Sequence, residues 1–119
     1  MFIIEFYSNN NHSPLFDFLN SIPKKDAAKI YKEIDMLQEF GLSLGMPYIK
    51  KLSDTNGLWE LRVKHSTNNY RVFYFTVKNS KIIMLNGFLK KTQKTPKKEL
   101  DRAVTYMNDY LERNDNHEI

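Results

Sequence analysis

"LWELRVKHSTNNYRVFYFTVKNSKIIMLNGFLKK", residues 58–91, decides how this chain folds. It contains three runs rich in β-branched and aromatic residues: LWELRVK (58–64), YRVFYFTV (70–77) and KIIMLNGFL (81–89). Turn residues divide them at Ser66–Asn69 and at Asn79–Ser80, the latter reading as a two-residue hairpin connection. That pattern predicts an antiparallel three-stranded meander. Period-two alternation sends Trp59, Leu61 and Val63 to one face and Glu60, Arg62 and Lys64 to the other. In the second run Arg71 shares a face with Phe73 and Phe75, opposite Tyr70, Val72 and Tyr74. Both faces of that strand are apolar, so it is central, and the side on which Arg71 falls stays open.

Outward from the meander, YIKKL (48–52) and FIIEFY (2–7) read as further strands. Between them, Ser13–Pro14 has the form of an N-cap followed by proline at the first helical position. Leu15, Phe16, Phe18 and Leu19 give that helix its apolar face. Pro23 opens a second helix in which Ala27, Ile30, Tyr31, Ile34, Leu37 and Phe40 recur at three- and four-residue steps, and Gly41 stops it. After Pro96, Leu100, Ala103, Val104, Met107 and Leu111 mark a closing amphipathic helix, and residues 112–119 are expected to fray. The order predicts an α+β fold: a mostly antiparallel sheet of four to five strands, with the two N-terminal helices and the C-terminal helix on one face. The other face is then free to carry a site. One domain over residues 1–119 is expected.

The bulk composition agrees. Of 119 residues 41% are hydrophobic, enough for a packed core. The absence of cysteine excludes a disulfide framework, a thiolate nucleophile and a zinc ribbon. The longest apolar runs fall far short of the ~20 residues of a membrane-spanning helix. The opening MFIIEFYSNN has no basic region, long apolar run or small-residue cleavage site, so no secretory signal is expected and the expected location is the cytoplasm. Net charge is +4, a weak pointer to an acidic partner.

That charge is concentrated. Lys90, Lys91, Lys94, Lys97 and Lys98 lie within nine positions, followed by Arg102. Guanidinium groups match phosphate oxygens in pairs and stay charged at any relevant pH. If Arg71 joins Arg62 on the open face, two fixed guanidiniums stand beside the lysines where the last strand ends. Such a set suits an RNA backbone and the extra charge of a pentacoordinate phosphate, where one well-placed donor contributes about 3 to 4 kcal/mol. The competing reading is solvated lysines and arginines held in sheet salt bridges. His12, His65 and His117 lack ligand spacing, so no metal site is expected, and the scattered glycines form no phosphate loop. Glu99 and Asp101 complement a helix dipole; Tyr106 and Tyr110 read as core or rim, and Trp59 as core.

Taken together, GLWELRVKHSTNNYRVFYF and IIMLNGFLKKTQKTPKKELDRA resemble the RelE/ParE toxin superfamily, and more closely its HigB-type, phage Gp49-like branch. The motifs W-E-L-R, Y-R-V-F-Y and F-x-K-K-T-Q-K-T-P carry the resemblance from about Leu52 to Met107. It implies a RelE-like fold and the toxin of a type II toxin–antitoxin system. The implied activity is a metal-independent, ribosome-dependent mRNA endoribonuclease, with no cofactor, in which the RNA's own 2′-hydroxyl attacks the adjacent phosphate. By motif, Arg62 and Arg71 take transition-state charge stabilisation. Lys90, Lys91 and Lys94 take phosphate and rRNA grip, with Lys64, Lys97 and Lys98 as further RNA contacts. Glu60 is a possible base, or simply a partner of Arg62. Relatives place a histidine or tyrosine near the end of the last strand; here only Phe88 is available for stacking, and a lysine with a lowered pKa could take the acid role. The implied partners are a neighbouring antitoxin of helix-turn-helix type, the ribosome and mRNA, with no membrane. Two alternatives remain: a ParE-like inhibitor of DNA gyrase, and a catalytically silent nucleic-acid or antitoxin-binding module.

Overall fold

The alternating runs become the strands of one sheet. In the computed structural model, which describes residues 1–78 and 80–115, the elements are β1 (Ile3–Phe6), α1 (Pro14–Ser21), α2 (Lys24–Phe40), a 3-10 turn (Gly41–Leu44), β2 (Ile49–Lys51), β3 (Trp59–His65), β4 (Asn68–Val77), β5 (Lys81–Leu89) and α3 (Lys97–Asp115). The sheet order is β1-β5-β4-β3-β2. β2 through β5 are antiparallel neighbours, whereas β1 lies parallel to β5 and makes the sheet mixed. β4 is central, as its two apolar faces require.

Local chemistry sets the helix ends. The Ser13 hydroxyl accepts the Phe16 N–H at 3.1 Å, and Pro14 occupies the first turn. α2 ends where Gly41 takes φ +56° and its N–H reaches the Leu37 carbonyl. The Phe2 ring lies against Gly41, where a Cβ would come within 2.2 Å of it. Only glycine combines that backbone with that approach.

One expectation is overturned: the helices do not share a face. α1 and α2 pack on Leu61, Val63, Tyr70, Val72, Tyr74, Ile82 and Met84. α3 packs on the opposite face through Ala103, Met107 and Tyr110, against Phe73, Phe75, Ile83 and Leu85. The cause is the apolar filling of both faces of β4 and β5: each must be covered, and the sheet becomes a middle layer.

Other boundaries also move. The β3–β4 turn is only Ser66–Thr67, because His65 pairs with Asn68 and both asparagines join β4. Val77 pairs with Lys81, so three residues separate β4 from β5; Asn79 of the expected hairpin lies outside the described residues. Residues 112–115, expected to fray, continue α3. There Arg113 donates to the Ser8 carbonyl at 2.8 Å and pairs with Asp109 at 2.8 Å. Residues 116–119 of the expected tail lie outside the described residues.

Candidate active site

Antiparallel pairing of β3 and β4 sets Arg62 directly opposite Arg71, and Glu60 opposite Phe73. Cross-strand partners share a face, so both arginines and Glu60 lie on the α3 side of the sheet. On the same face, β2 brings Lys50 opposite Glu60. α3 makes its main contacts with this face on β5 and β4. The orientation that alternation left open for Arg71 is settled: it joins Arg62.

Glu60 forms the floor and is only 2% exposed. Its Oε1 accepts the Arg62 Nε–H at 3.0 Å. Arg71 Nε lies 3.6 Å from the same oxygen, an ion pair too long for a hydrogen bond. Arg71 donates instead through its Nη1 to the Tyr70 carbonyl at 3.0 Å. Glu60 Oε2 and Arg71 Nε are buried with no hydrogen-bond partner among the described residues. Burial, and secondarily the Arg62 charge, press the Arg71 pKa down against the opposing pull of Glu60. Two guanidiniums thus share one carboxylate, leaving an excess positive charge and unused N–H donors.

Lys90 stands at the end of β5, its backbone N–H bonded to the Asn69 carbonyl at 2.7 Å. Its ammonium pKa is lowered, first by partial burial and then by the Arg71 charge, with smaller contributions from Arg62 and Lys50. Asn69, Arg71, Lys90, Lys91, Thr92 and Gln93 line a cleft of about 420 Å³. A second hollow of about 340 Å³, lined by Lys29, Glu33, Pro47, Tyr48, Arg62 and Lys64 among others, shares Arg71 and Asn69 with the first. Asn69 and Arg71 line both hollows, which together make up a trough.

The expected site is therefore assembled in part. Arg62, Arg71, Glu60, Lys64, Lys90 and Lys91 converge. Phe88 does not: it is 5% exposed and packs against Phe73 with ring centroids 5.5 Å apart, beneath α3. A stacking role for it is corrected on that ground, because the apolar face under α3 claims the ring. Lys94, Lys97 and Lys98 stand outside the lining of the trough, and Lys97 pairs with Asp101 at 3.2 Å. Lys50, Asn69, Thr92 and Gln93 were missed. Lys50 was within reach of alternation, since Ile49 is buried and its neighbour must face the other way; Asn69 was hidden by its turn-like context.

His65 sits at the end of β3 with Nδ1 2.6 Å from Asp26 Oδ1. The same buried carboxylate accepts the Asn68 amide at 3.1 Å and the Tyr70 hydroxyl. The Tyr70 bond is the first cause holding the Asp26 carboxyl below the usual range. Burial, then Asp26, push the Tyr70 phenol up to about 12. This cluster anchors the hairpin that carries Asn69 and Arg71.

Comparison with known proteins is consistent with this architecture. Residues 17–108 match the family model described as phage-derived protein Gp49-like. The fold resembles a chain in the crystal structure of the archaeal RelE-RelB complex from Pyrococcus horikoshii OT3. That match has a TM-score of 0.52 and 22% identity, over 79% of this chain and 98% of the other. No curated protein sequence matches.

Proposed function

The chain belongs to the Gp49-like family of phage-derived proteins, and on that premise we propose that it is the toxin of a toxin–antitoxin pair, acting as an endoribonuclease on mRNA in the ribosome. One observation carries the reading: Arg62 and Arg71 face each other over a buried Glu60, with Lys90 alongside.

The reaction this trough favours is internal transphosphorylation. The RNA 2′-hydroxyl loses its proton and its oxygen attacks the adjacent phosphorus. The new O2′–P bond forms as the P–O5′ bond breaks, and the departing 5′-oxygen takes up a proton. The products are a 2′,3′-cyclic phosphate and a 5′-hydroxyl. Because the nucleophile belongs to the substrate, the protein has charge to neutralise and protons to move. Arg62 and Arg71 meet the non-bridging oxygens, where negative charge grows. Lys90, whose ammonium gives up its proton more readily than an ordinary lysine, takes the role of the base that accepts the 2′ proton. Lys91 protonates the leaving oxygen, while Lys50 and Lys64 grip neighbouring phosphates. Glu60 is too enclosed to reach a ribose, so it positions the two arginines rather than acting as the base.

The similar archaeal chain was crystallised as a RelE-RelB complex. By that likeness this protein's partner is an antitoxin, of helix-turn-helix type, with an acidic segment to cover the trough. Primer extension on a translated mRNA, with and without ribosomes, tests the reading. Cuts are expected only with ribosomes, and Arg71→Ala should slow them by about 10²–10³-fold. Intact mRNA together with altered DNA supercoiling would replace the endoribonuclease by the gyrase inhibitor.

A further inference from the structure

The trough offers cations to phosphates, yet the ring expected to hold a base beside them, Phe88, is taken by the core beneath α3. The hollow at Arg62 holds another ring. Of the described residues that line the two hollows, Tyr48 alone is aromatic. It is 47% exposed and joins no ring pair among the described residues. Phe16, Tyr31 and Phe40 are exposed as well, but none of them lines either hollow. Exposure by itself assigns an aromatic residue no role; the surroundings of Tyr48 do.

The Tyr48 backbone is fixed at both of its polar atoms. Its N–H donates to the Gly45 carbonyl at 3.0 Å, and its carbonyl accepts the Arg62 N–H at 2.7 Å. The second bond ties the ring-bearing residue to one of the two arginines of the site. Ile49, the next residue, is buried and pairs with Leu61, so the chain enters the core directly after the ring. Pro47 and Val63 add apolar surface to the same hollow, and Arg62, Lys64 and Arg71 add positive charge. Glu33, the one carboxylate among its described lining residues, is engaged by Lys29 at 3.0 Å. One hollow of about 340 Å³ is thus lined by an aromatic face, apolar walls and both guanidiniums. A free phosphate makes no use of the ring. An apolar peptide would strip water from cations it cannot pair. A nucleotide uses both kinds of surface.

We propose that Tyr48 is the base-stacking residue of this site: a base next to the scissile phosphate lies on its ring while Arg62 and Arg71 hold that phosphate. The proposal rests on the endoribonuclease reading. Single-stranded RNA exposes unstacked bases, and each has a π face that an aromatic side chain can take. Tyrosine has only two side-chain torsions to fix, so little freedom is lost on stacking. Such a face does not read base edges. Tyr48 therefore contributes affinity and the register of the strand across the arginines, and any base preference follows stacking strength.

The test uses fluorescein-labelled 2′-O-methyl tetranucleotides, whose blocked 2′-oxygen cannot attack, with an abasic site walked through each position. Binding to the full chain is read by anisotropy. In the parent, one position should show about a tenfold loss of affinity when its base is removed. Tyr48→Ala should lose about tenfold on the intact probe, yet bind the probe abasic at that position as the parent does. Its salt slope should match the parent's, because no cation has been removed. Tyr48→Phe keeps the ring and should bind like the parent. If Tyr48→Ala melts below the parent, Tyr48→Leu, apolar but without a π face, decides by the same comparison. A flat walk in the parent, a walk undiminished in Tyr48→Ala, or a Tyr48→Phe loss as large as that of Tyr48→Ala overturns the assignment. Weaker binding of every probe by Arg71→Ala would then leave the endoribonuclease reading standing. Unchanged RNA affinity in Tyr48→Ala with weakened antitoxin binding would make the ring a protein contact, and also overturns it. Absence of salt-sensitive binding by any probe, with Arg71→Ala no different from the parent, removes both readings.

Discussion

At the scale of single residues, Lys90 and Glu60 are held in states that water would not favour. Lys90 is short of solvent and beside Arg71, so its ammonium sheds the proton more readily than an ordinary lysine. A base must be deprotonated, so the cleavage rate should rise with pH and level off once pH exceeds the lowered Lys90 pKa. Lys90→Arg keeps the charge but stays protonated. Single-turnover cleavage is expected to fall by about 10²–10⁴-fold and to lose that rise. An unchanged profile would leave Lys90 as a phosphate grip only. Glu60 is the counter-charge for two arginines whose side chains are 25% and 13% exposed. Glu60→Gln retains the shape and removes the charge. A loss of about 2 kcal/mol in urea unfolding is expected, since a hydrogen bond to a charged group is being weakened. Cleavage should fall with it because the guanidiniums lose their anchor. Stability loss without any loss of rate would show that the arginines hold their places unaided.

Among the elements, the link between α2 and the β3–β4 hairpin runs through Asp26, near the start of α2, and His65, Asn68 and Tyr70. Asp26 has a lowered pKa in the folded state. Its contribution to stability is therefore present above the ordinary carboxylate value of about 3.9 and is lost as pH falls through the lower folded value. Asp26→Asn should lower Tm at pH 7, and the gap to the parent should close as the buffer approaches pH 3. A gap constant with pH would mean that packing, not ionisation, ties the hairpin down. Elements of this kind were only partly legible in the sequence. Alternation in LWELRVK sorted the β3 faces correctly, because one side is apolar and the other charged. It failed for β4 and β5: Phe73 and Phe75 are as apolar as Val72 and Tyr74, and a strand apolar on both sides does not say which helix lies on which. α3 was assigned to the wrong side for that reason, and Phe88 was read as exposed with it. Proximity to the lysine cluster in sequence also overstated Lys94, Lys97 and Lys98. A helix start carries the last two away from the strand exit that presents Lys90 and Lys91.

Over the whole molecule, the question is whether the +4 net charge acts as a diffuse field or as an organised track. Lys97 and Lys98 occupy the first turn of α3, where cations oppose the helix dipole. Lys97 is already paired with Asp101 across one turn. The cations left to displace counterions from RNA are those in and beside the trough: Arg62, Arg71, Lys50, Lys64, Lys90 and Lys91. Six phosphate contacts on a single strand should give a slope of log Kobs against log salt of about −4, at about 0.7 per contact. Replacing Lys91 by Gln should flatten that slope by about 0.7. Replacing Lys97 by Gln should barely alter it, because binding there would first have to break an existing ion pair. Both variants keep the fold, since each side chain is exposed, so a uniform loss of stability does not confuse the result. A salt series with uncleavable RNA reads both. Equal flattening by the two substitutions would mean that RNA follows the outer face of α3 instead of the trough, and the convergence of Arg62 with Arg71 would then need another purpose.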